Sequence, residues 1–135
     1  MAGPAIHSPS GQLRPRFGTA RHEDLPGFIG IMQILHQEPT SSAFARLLTA
    51  TQTPDDEIPL AHVFEEMSTL VLHGLLPGDL LFDAFGFDIY WKALSKRIAE
   101  VRKTTGNAKF CENFEIANKL AIAYREERPT KVLRA

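Results

Sequence analysis

Histidine and glutamate side chains that could bind a metal ion occur close together in one stretch of the chain. His62 and Glu66 are four residues apart with Glu65 between them, so a helix here places His62 and Glu66 on one face. Di-iron bundles use Glu-x-x-His motifs on two helices, whereas this chain has one His-x-x-Glu and no second copy. His73 would lie about 16 Å from His62 along the axis. We therefore predict no metal site.

Paired carboxylates and a lone thiol are the other candidates for chemistry. Asp79 with Asp83, and Glu112 with Glu115, lie near predicted helix starts, where the helix dipole alone favours acids. Cys111 also lies near a helix start, a place that can lower a thiol pKa, but no histidine follows His73 to pair with it. We therefore expect a small buried or half-buried thiol.

Sequence motifs for nucleotide binding or acyl transfer are absent. The chain has no phosphate-binding glycine loop, no dinucleotide fingerprint and no Gly-x-Ser-x-Gly elbow. We predict no catalytic residue and no cofactor, and keep an enzyme of unrecognised type as an alternative. A single cysteine excludes an internal disulfide and fits a reducing compartment, so we expect a cytoplasmic protein.

Charge is balanced overall but divided along the chain. The 135 residues carry a net charge of −1, which gives no bulk electrostatic case for nucleic acid or membrane binding. Residues 1–22 have three arginines and no acid, residues 23–79 have nine acids and one arginine, and residues 80–135 have eleven bases and seven acids. Either acidic helices pack beside basic ones, or the basic part faces an acidic partner. The basic cluster consists of Lys92, Lys96, Arg97, Arg102 and Lys103.

The longest apolar pattern predicts one central helix over residues 77–106. Pro77 and Gly78 break the preceding segment, Asp79 can cap the start, and Gly106 can adopt the left-handed conformation past the end. Apolar residues recur there at three- and four-residue steps, which is the spacing of a buried helix face. These residues are Leu80, Ala84, Phe87, Trp91, Leu94, Ile98 and Val101.

Four further helices complete the predicted fold, near residues 24–37, 40–50, 56–74 and 107–127. No alternating run or hairpin turn indicates a strand. The prediction is an all-α single bundle of about five helices over residues 23–128.

The two ends of the chain are predicted to lie outside the bundle. Residues 1–22 are rich in proline, glycine and serine and indicate a disordered basic tail, and residues 129–135 indicate a frayed end. No run approaches the roughly 20 apolar residues of a transmembrane helix, and signal-peptide features are missing.

Short motifs between Leu60 and Tyr124 resemble a bacterial family of unknown function, DUF4760. The motifs are Phe64-Glu65-Glu66, Gly74-Leu75-Leu76, Phe85-Gly86, Trp91-x-x-Leu94-x-x-x-Ile98-x-x-x-Arg102 and Asn113-Phe114-Glu115. Many members look membrane-anchored through N-terminal apolar helices, which this chain lacks. The resemblance implies the fold but no location, activity or catalytic residue.

Four residues are candidates for structural or interaction roles: Glu65, Glu66, Trp91 and Arg102. Trp91 has the position of a core anchor, and we hypothesise that Glu65 or Glu66 pairs with Arg102 across neighbouring helices. The leading interpretation is a small, soluble, non-catalytic module that binds another protein or itself. The alternative is an accessory protein that contacts nucleic acid or an anionic membrane surface through its basic segments.

Overall fold

The computed structural model describes residues 17–128, and within that range the chain forms helices and no strand. The all-α prediction is confirmed. A 3₁₀ turn at His22–Asp24 precedes six helices: α1 (Leu25–His36), α2 (Thr40–Leu48), α3 (Pro54–Leu72), α4 (Gly78–Ala84), α5 (Phe87–Thr105) and α6 (Glu112–Glu127).

The predicted long helix over residues 77–106 is wrong, and so is the count of about five. Phe85 (φ −128°, ψ 141°) and Gly86 (φ −89°, ψ 67°) leave the helical conformation and separate α4 from α5. The break is consistent with tertiary packing overriding local periodicity, because it places the Phe85 ring 6.1 Å from that of Phe28 while Phe87 is fully buried. Gly106 does end α5 in the left-handed conformation at φ 72°, as predicted.

Phe64 of α3 occupies the middle of the core. Its side chain is fully buried, and its ring lies within about 6 Å of aromatic rings from α2, α5 and α6. Those rings belong to Phe44, Phe87, Tyr90 and Phe114. The helix that other helices surround is therefore α3, and not the predicted segment.

The Asp56 carboxylate stabilises the start of α3. Asp56 accepts the Thr53 backbone N–H at 2.9 Å, and it also accepts two hydrogen bonds of 2.7 Å from the Arg46 guanidinium of α2. Pro54 suits the first turn, where its missing N–H costs nothing. These contacts extend α3 two residues further towards the N-terminus than the predicted start at Asp56.

Phe17 is buried in the edge of the bundle, against the rings of Phe82 and Tyr124 at 5.8 and 5.2 Å. A Cβ atom at Gly78 would lie 2.6 Å from the Phe17 carbonyl oxygen, so this approach requires glycine. Residues 17–22 belong to the segment predicted as a tail; its remainder, residues 1–16, and the predicted frayed end, residues 129–135, lie outside the described residues. None of the helices within residues 17–128 has the length and apolarity needed to cross a membrane.

Candidate functional site

Glu65 and Glu66, two neighbouring residues of α3, belong to two different regions of the molecule. Successive helical residues are rotated by about 100°, so the two side chains leave α3 in different directions. Glu65 is half-buried and faces the start of α6, whereas Glu66 is exposed. We call the first region the α6 junction (Glu65, Thr69, Trp91, Arg102, Phe110, Cys111, Asn113, Phe114 and Glu115) and the second the α1–α3 groove, which is defined below.

Glu65 caps the start of α6 from another helix. Its Oε1 accepts the Phe114 backbone N–H at 2.8 Å, and its Oε2 accepts a hydrogen bond of 3.0 Å from the Asn113 side-chain amide. The same amide donates to the Thr69 hydroxyl at 3.0 Å. Cys111, in the cap position, is left-handed (φ 59°) and makes no cap bond with its own side chain. Glu65 therefore supplies the acceptor that the local sequence lacks.

Arg102 of α5 closes the other side of the α6 junction. Its Nε donates to the Phe110 carbonyl oxygen at 2.8 Å, and a terminal guanidinium nitrogen lies 2.8 Å from Oε1 of Glu115. The ion-pair partner of Arg102 is thus Glu115, and not Glu65 or Glu66 as hypothesised. The helix dipoles favour this pair, because Arg102 is a cation near the end of α5 and Glu115 is an acid in the first turn of α6.

Trp91 of α5 packs against the start of α6. Its ring meets that of Phe114 edge to face with centroids 5.2 Å apart, and the Arg102 guanidinium carbon lies 5.9 Å from the Trp91 ring centroid. Trp91 is half-buried, whereas Phe114 is fully buried. The four candidate residues are therefore not one cluster: Glu65, Trp91 and Arg102 belong to the α6 junction, and Glu66 does not.

The Cys111 thiol is held in its neutral form. Burial raises its pKa to about 12, the Glu65 carboxylate acts in the same direction, and Arg102 opposes them. The sulfur lies 3.8 Å from the Ala61 carbonyl oxygen. The predicted buried thiol is confirmed, and its chemistry is that of a small apolar group at neutral pH. Within residues 17–128, no three His, Cys, Asp or Glu side chains are grouped so that they could hold a metal ion.

The α1–α3 groove is an apolar cavity of about 430 Å³ that opens at the surface. It is lined by Ile31 and Ile34 of α1 and by Val63, Glu66, Met67, Thr69 and Leu70 of α3. Among these residues Glu66 alone carries a charge, and it forms no ion pair with another described residue. A cavity of this size and lining can receive large apolar side chains.

Helix α1 leaves several large apolar side chains exposed to solvent. Leu25 is 56% exposed and Ile34 is 49% exposed, and Ile29 and Met32 are also open to solvent. Only Ile31 and Leu35 of this helix are buried. Helix α1 therefore packs on the bundle through a narrower face than its apolar pattern indicates. A signal for this was present in the sequence, since residues 25–36 contain no Asp, Glu, Lys or Arg.

A row of lysines follows the outer face of α5. Lys92, Lys96 and Lys103 are exposed, and none of them forms an ion pair with a described residue. The two arginines of the predicted basic cluster behave differently. Arg97 pairs with Glu57 at 3.1 Å and Arg102 with Glu115. Only part of that cluster is therefore available to a partner.

Comparisons with known proteins identify a family without an assigned activity. Curated proteins and solved structures gave no match. The model of the family described as "Domain of unknown function (DUF4760)" matches residues 22–119, which include α1 to α5 and the first half of α6. This match covers most of the chain and includes both the α6 junction and the α1–α3 groove. The chain therefore belongs to the DUF4760 family.

Proposed function

We propose that this domain is a non-catalytic module that binds another protein, or a second copy of itself, through the α1–α3 groove and the exposed apolar residues of α1. One observation carries the proposal: α1 contains no Asp, Glu, Lys or Arg, and it leaves four large apolar side chains open to solvent. Exposed apolar surface beside a cavity is typical of a protein interaction site. The polar groups of the α6 junction, in contrast, are engaged with one another.

Photo-crosslinking from the groove tests this function. A photoreactive phenylalanine analogue replaces Ile34, and a matched control carries it at Ile122, which is similarly exposed on α6. Crosslinks in the native cell are expected from position 34 and not from position 122. The crosslinked protein is then purified and titrated against the wild type and Ile34→Glu. Ile34→Glu is expected to weaken binding at least about tenfold, because it places a carboxylate against apolar surface.

Two results would contradict the proposal. Equal crosslinking from positions 34 and 122 would mean that the groove is not a preferred contact. Unchanged affinity of Ile34→Glu, with Ile122→Glu as the control, would place binding elsewhere on the molecule.

The buried free thiol of Cys111 supports the accompanying proposal of a cytoplasmic location, where thiols stay reduced.

The second candidate is an accessory protein that contacts an anionic surface through the α5 lysines. The observation that favours it is the unpaired row of Lys92, Lys96 and Lys103 along about 16 Å of one helix face. Binding of this kind weakens steeply with salt. Replacing all three lysines by glutamine should abolish sedimentation with anionic vesicles or retention on duplex DNA. Loss of either interaction in Ile34→Glu, with the lysines intact, would count against this candidate.

A further inference from the structure

The apolar side chains that line the α1–α3 groove recur at helical spacing on both of its walls. Ile31 and Ile34 are three residues apart on one wall, and Val63, Met67 and Leu70 follow at steps of four and three on the other. Apolar side chains of an amphipathic helix at i, i+3 or i+4, and i+7 match such a pair of walls. Met67 is buried, and its unbranched side chain can adapt to the shape of an occupant.

The charge of the groove selects among possible helices. Glu66 lines the apolar cavity and remains exposed, without an ion-pair partner among the described residues. Thr69, the other polar lining residue, already bonds to Asn113 and to the Glu65 carbonyl oxygen. An occupant that covers the groove would therefore leave the Glu66 carboxylate poorly solvated unless it brought a positive charge.

We propose that the occupant of the α1–α3 groove is an amphipathic helix of a partner protein whose apolar anchors fill the cavity and whose lysine or arginine pairs with Glu66. This inference rests on the proposed function and deepens it, because it names the class of partner. The apolar anchors would supply most of the affinity, and the charge pair would supply orientation and selectivity.

A displayed library of helical peptides tests the inference with the full-length chain. The library is an alanine-rich helix in which three positions at i, i+4 and i+7 and two flanking positions are varied among all residue types. It is selected separately against the wild type, Ile34→Glu and Glu66→Lys. Glu126→Lys is the matched control, since it makes the same charge change at an exposed position of α6. Circular dichroism and thermal unfolding verify that each variant is folded.

The expected pool from the wild type and from Glu126→Lys has apolar residues at the three inner positions and lysine or arginine at a flanking one. Selection against Glu66→Lys should enrich glutamate or aspartate at that flanking position. A synthetic peptide with lysine there should bind the wild type about threefold to fivefold more tightly than its glutamate counterpart, as expected of an exposed charge pair. This preference should nearly vanish in about 1 M salt.

The outcomes separate the inference from the proposed function. If wild type and Glu66→Lys select the same flanking charge, recognition by Glu66 is overturned, while Ile34-dependent apolar enrichment would still support a binding groove. If no peptide is enriched, the partner helix is overturned, and crosslinking from position 34 decides the proposed function. If Ile34→Glu selects the same pool as the wild type, both are overturned. A dimer that Ile34→Glu dissociates would identify a second copy as the occupant and overturn the partner helix. Peptide binding that appears only after deletion of residues 2–16 would identify the chain's own N-terminal segment as the occupant of the groove and overturn the partner helix.

Discussion

The α6 junction and the α1–α3 groove adjoin along α3, where Thr69 belongs to both, and their side chains differ in how far they are engaged with the rest of the fold. At the junction, the Glu65 and Arg102 side chains bond to side chains and backbone groups of the α6 region. In the groove, Ile34 and Glu66 are exposed and have no comparable partners among the described residues. The junction therefore has the contacts of a structural element, whereas the groove leaves apolar and charged side chains exposed, as the proposed binding surface requires.

The largest difference should appear when one apolar side chain is removed from each region. Phe114→Ala is expected to lower the free energy of unfolding by about 4 kcal/mol, because Phe114 is fully buried against Phe64, Phe87 and Trp91. Ile34→Ala, in the groove, should change it by less than about 0.5 kcal/mol. Urea denaturation measures both values. Similar losses at the two positions would mean that the groove is part of the structural core.

The next test compares two adjacent basic residues of α5. Arg102→Ala is expected to destabilise the fold by about 2 kcal/mol, since it removes a charged hydrogen bond to the Phe110 carbonyl oxygen and the ion pair to Glu115. Lys103 is exposed and unpaired among the described residues, so Lys103→Ala should stay within about 0.5 kcal/mol. Both are read from the same denaturation curves. Equal shifts would show that the Arg102 contacts contribute nothing measurable.

A third test compares the contributions of the two adjacent glutamates of α3 to stability. Glu65→Gln keeps the size of the side chain but removes the negative charge at the start of α6, and it should cost about 1 kcal/mol. Glu66→Gln should leave stability unchanged within about 0.5 kcal/mol, because its carboxylate bonds to no described residue. Thermal unfolding at neutral pH distinguishes the two. A larger loss for Glu66→Gln would reverse the assignment of structural and binding roles on α3.

The smallest effect concerns acid, and it extends the comparison to the carboxylates around α2. Hydrogen bonds from the Ser41 hydroxyl, followed by those of Ser42, lower the pKa of Glu38 from 4.5 to about 2. The hydrogen bond from Arg46 likewise lowers the pKa of Asp56 below its ordinary 3.8. Both values are depressed in the folded state, so the unfolded chain binds more protons in acid and stability falls as pH drops from about 4.5 towards 2.

Unfolding midpoints between pH 7 and pH 3 test this acid dependence. The double variant Glu38→Gln/Asp56→Asn should be less stable at neutral pH and should lose less stability on acidification than the wild type. Exposure of Glu38 to solvent keeps its part of the effect small. Parallel curves for the two proteins would show that other carboxylates govern the acid response.

Local sequence patterns were sufficient where a structural feature depends on residues three or four positions apart. The apolar pattern predicted a helix near residues 24–37, where α1 spans Leu25–His36, and Gly106 predicted the left-handed end of α5. The break at Phe85–Gly86 could not be read in this way, because the apolar period continues through it. It is consistent with the packing of Phe85 against Phe28, which lies 57 residues earlier in the chain.

The candidate sites divide in the same manner. Glu65, Glu66, Trp91 and Arg102 were named as candidates from the sequence, but their contacts were not foreseen, since residues such as Glu65 and Asn113 are 48 positions apart. The groove itself was missed, although the lack of charged residues in α1 was a usable signal.

The sequence by itself determined that this chain folds into helices and where several of them begin and end. These properties follow from backbone preferences, capping and apolar periodicity, which act over one or two helical turns. The tertiary structure alone decided that Glu65 caps α6, that Arg102 pairs with Glu115, and that α1 leaves a groove open beside α3. Such contacts join residues far apart in the chain, and they exist only once the helices have packed.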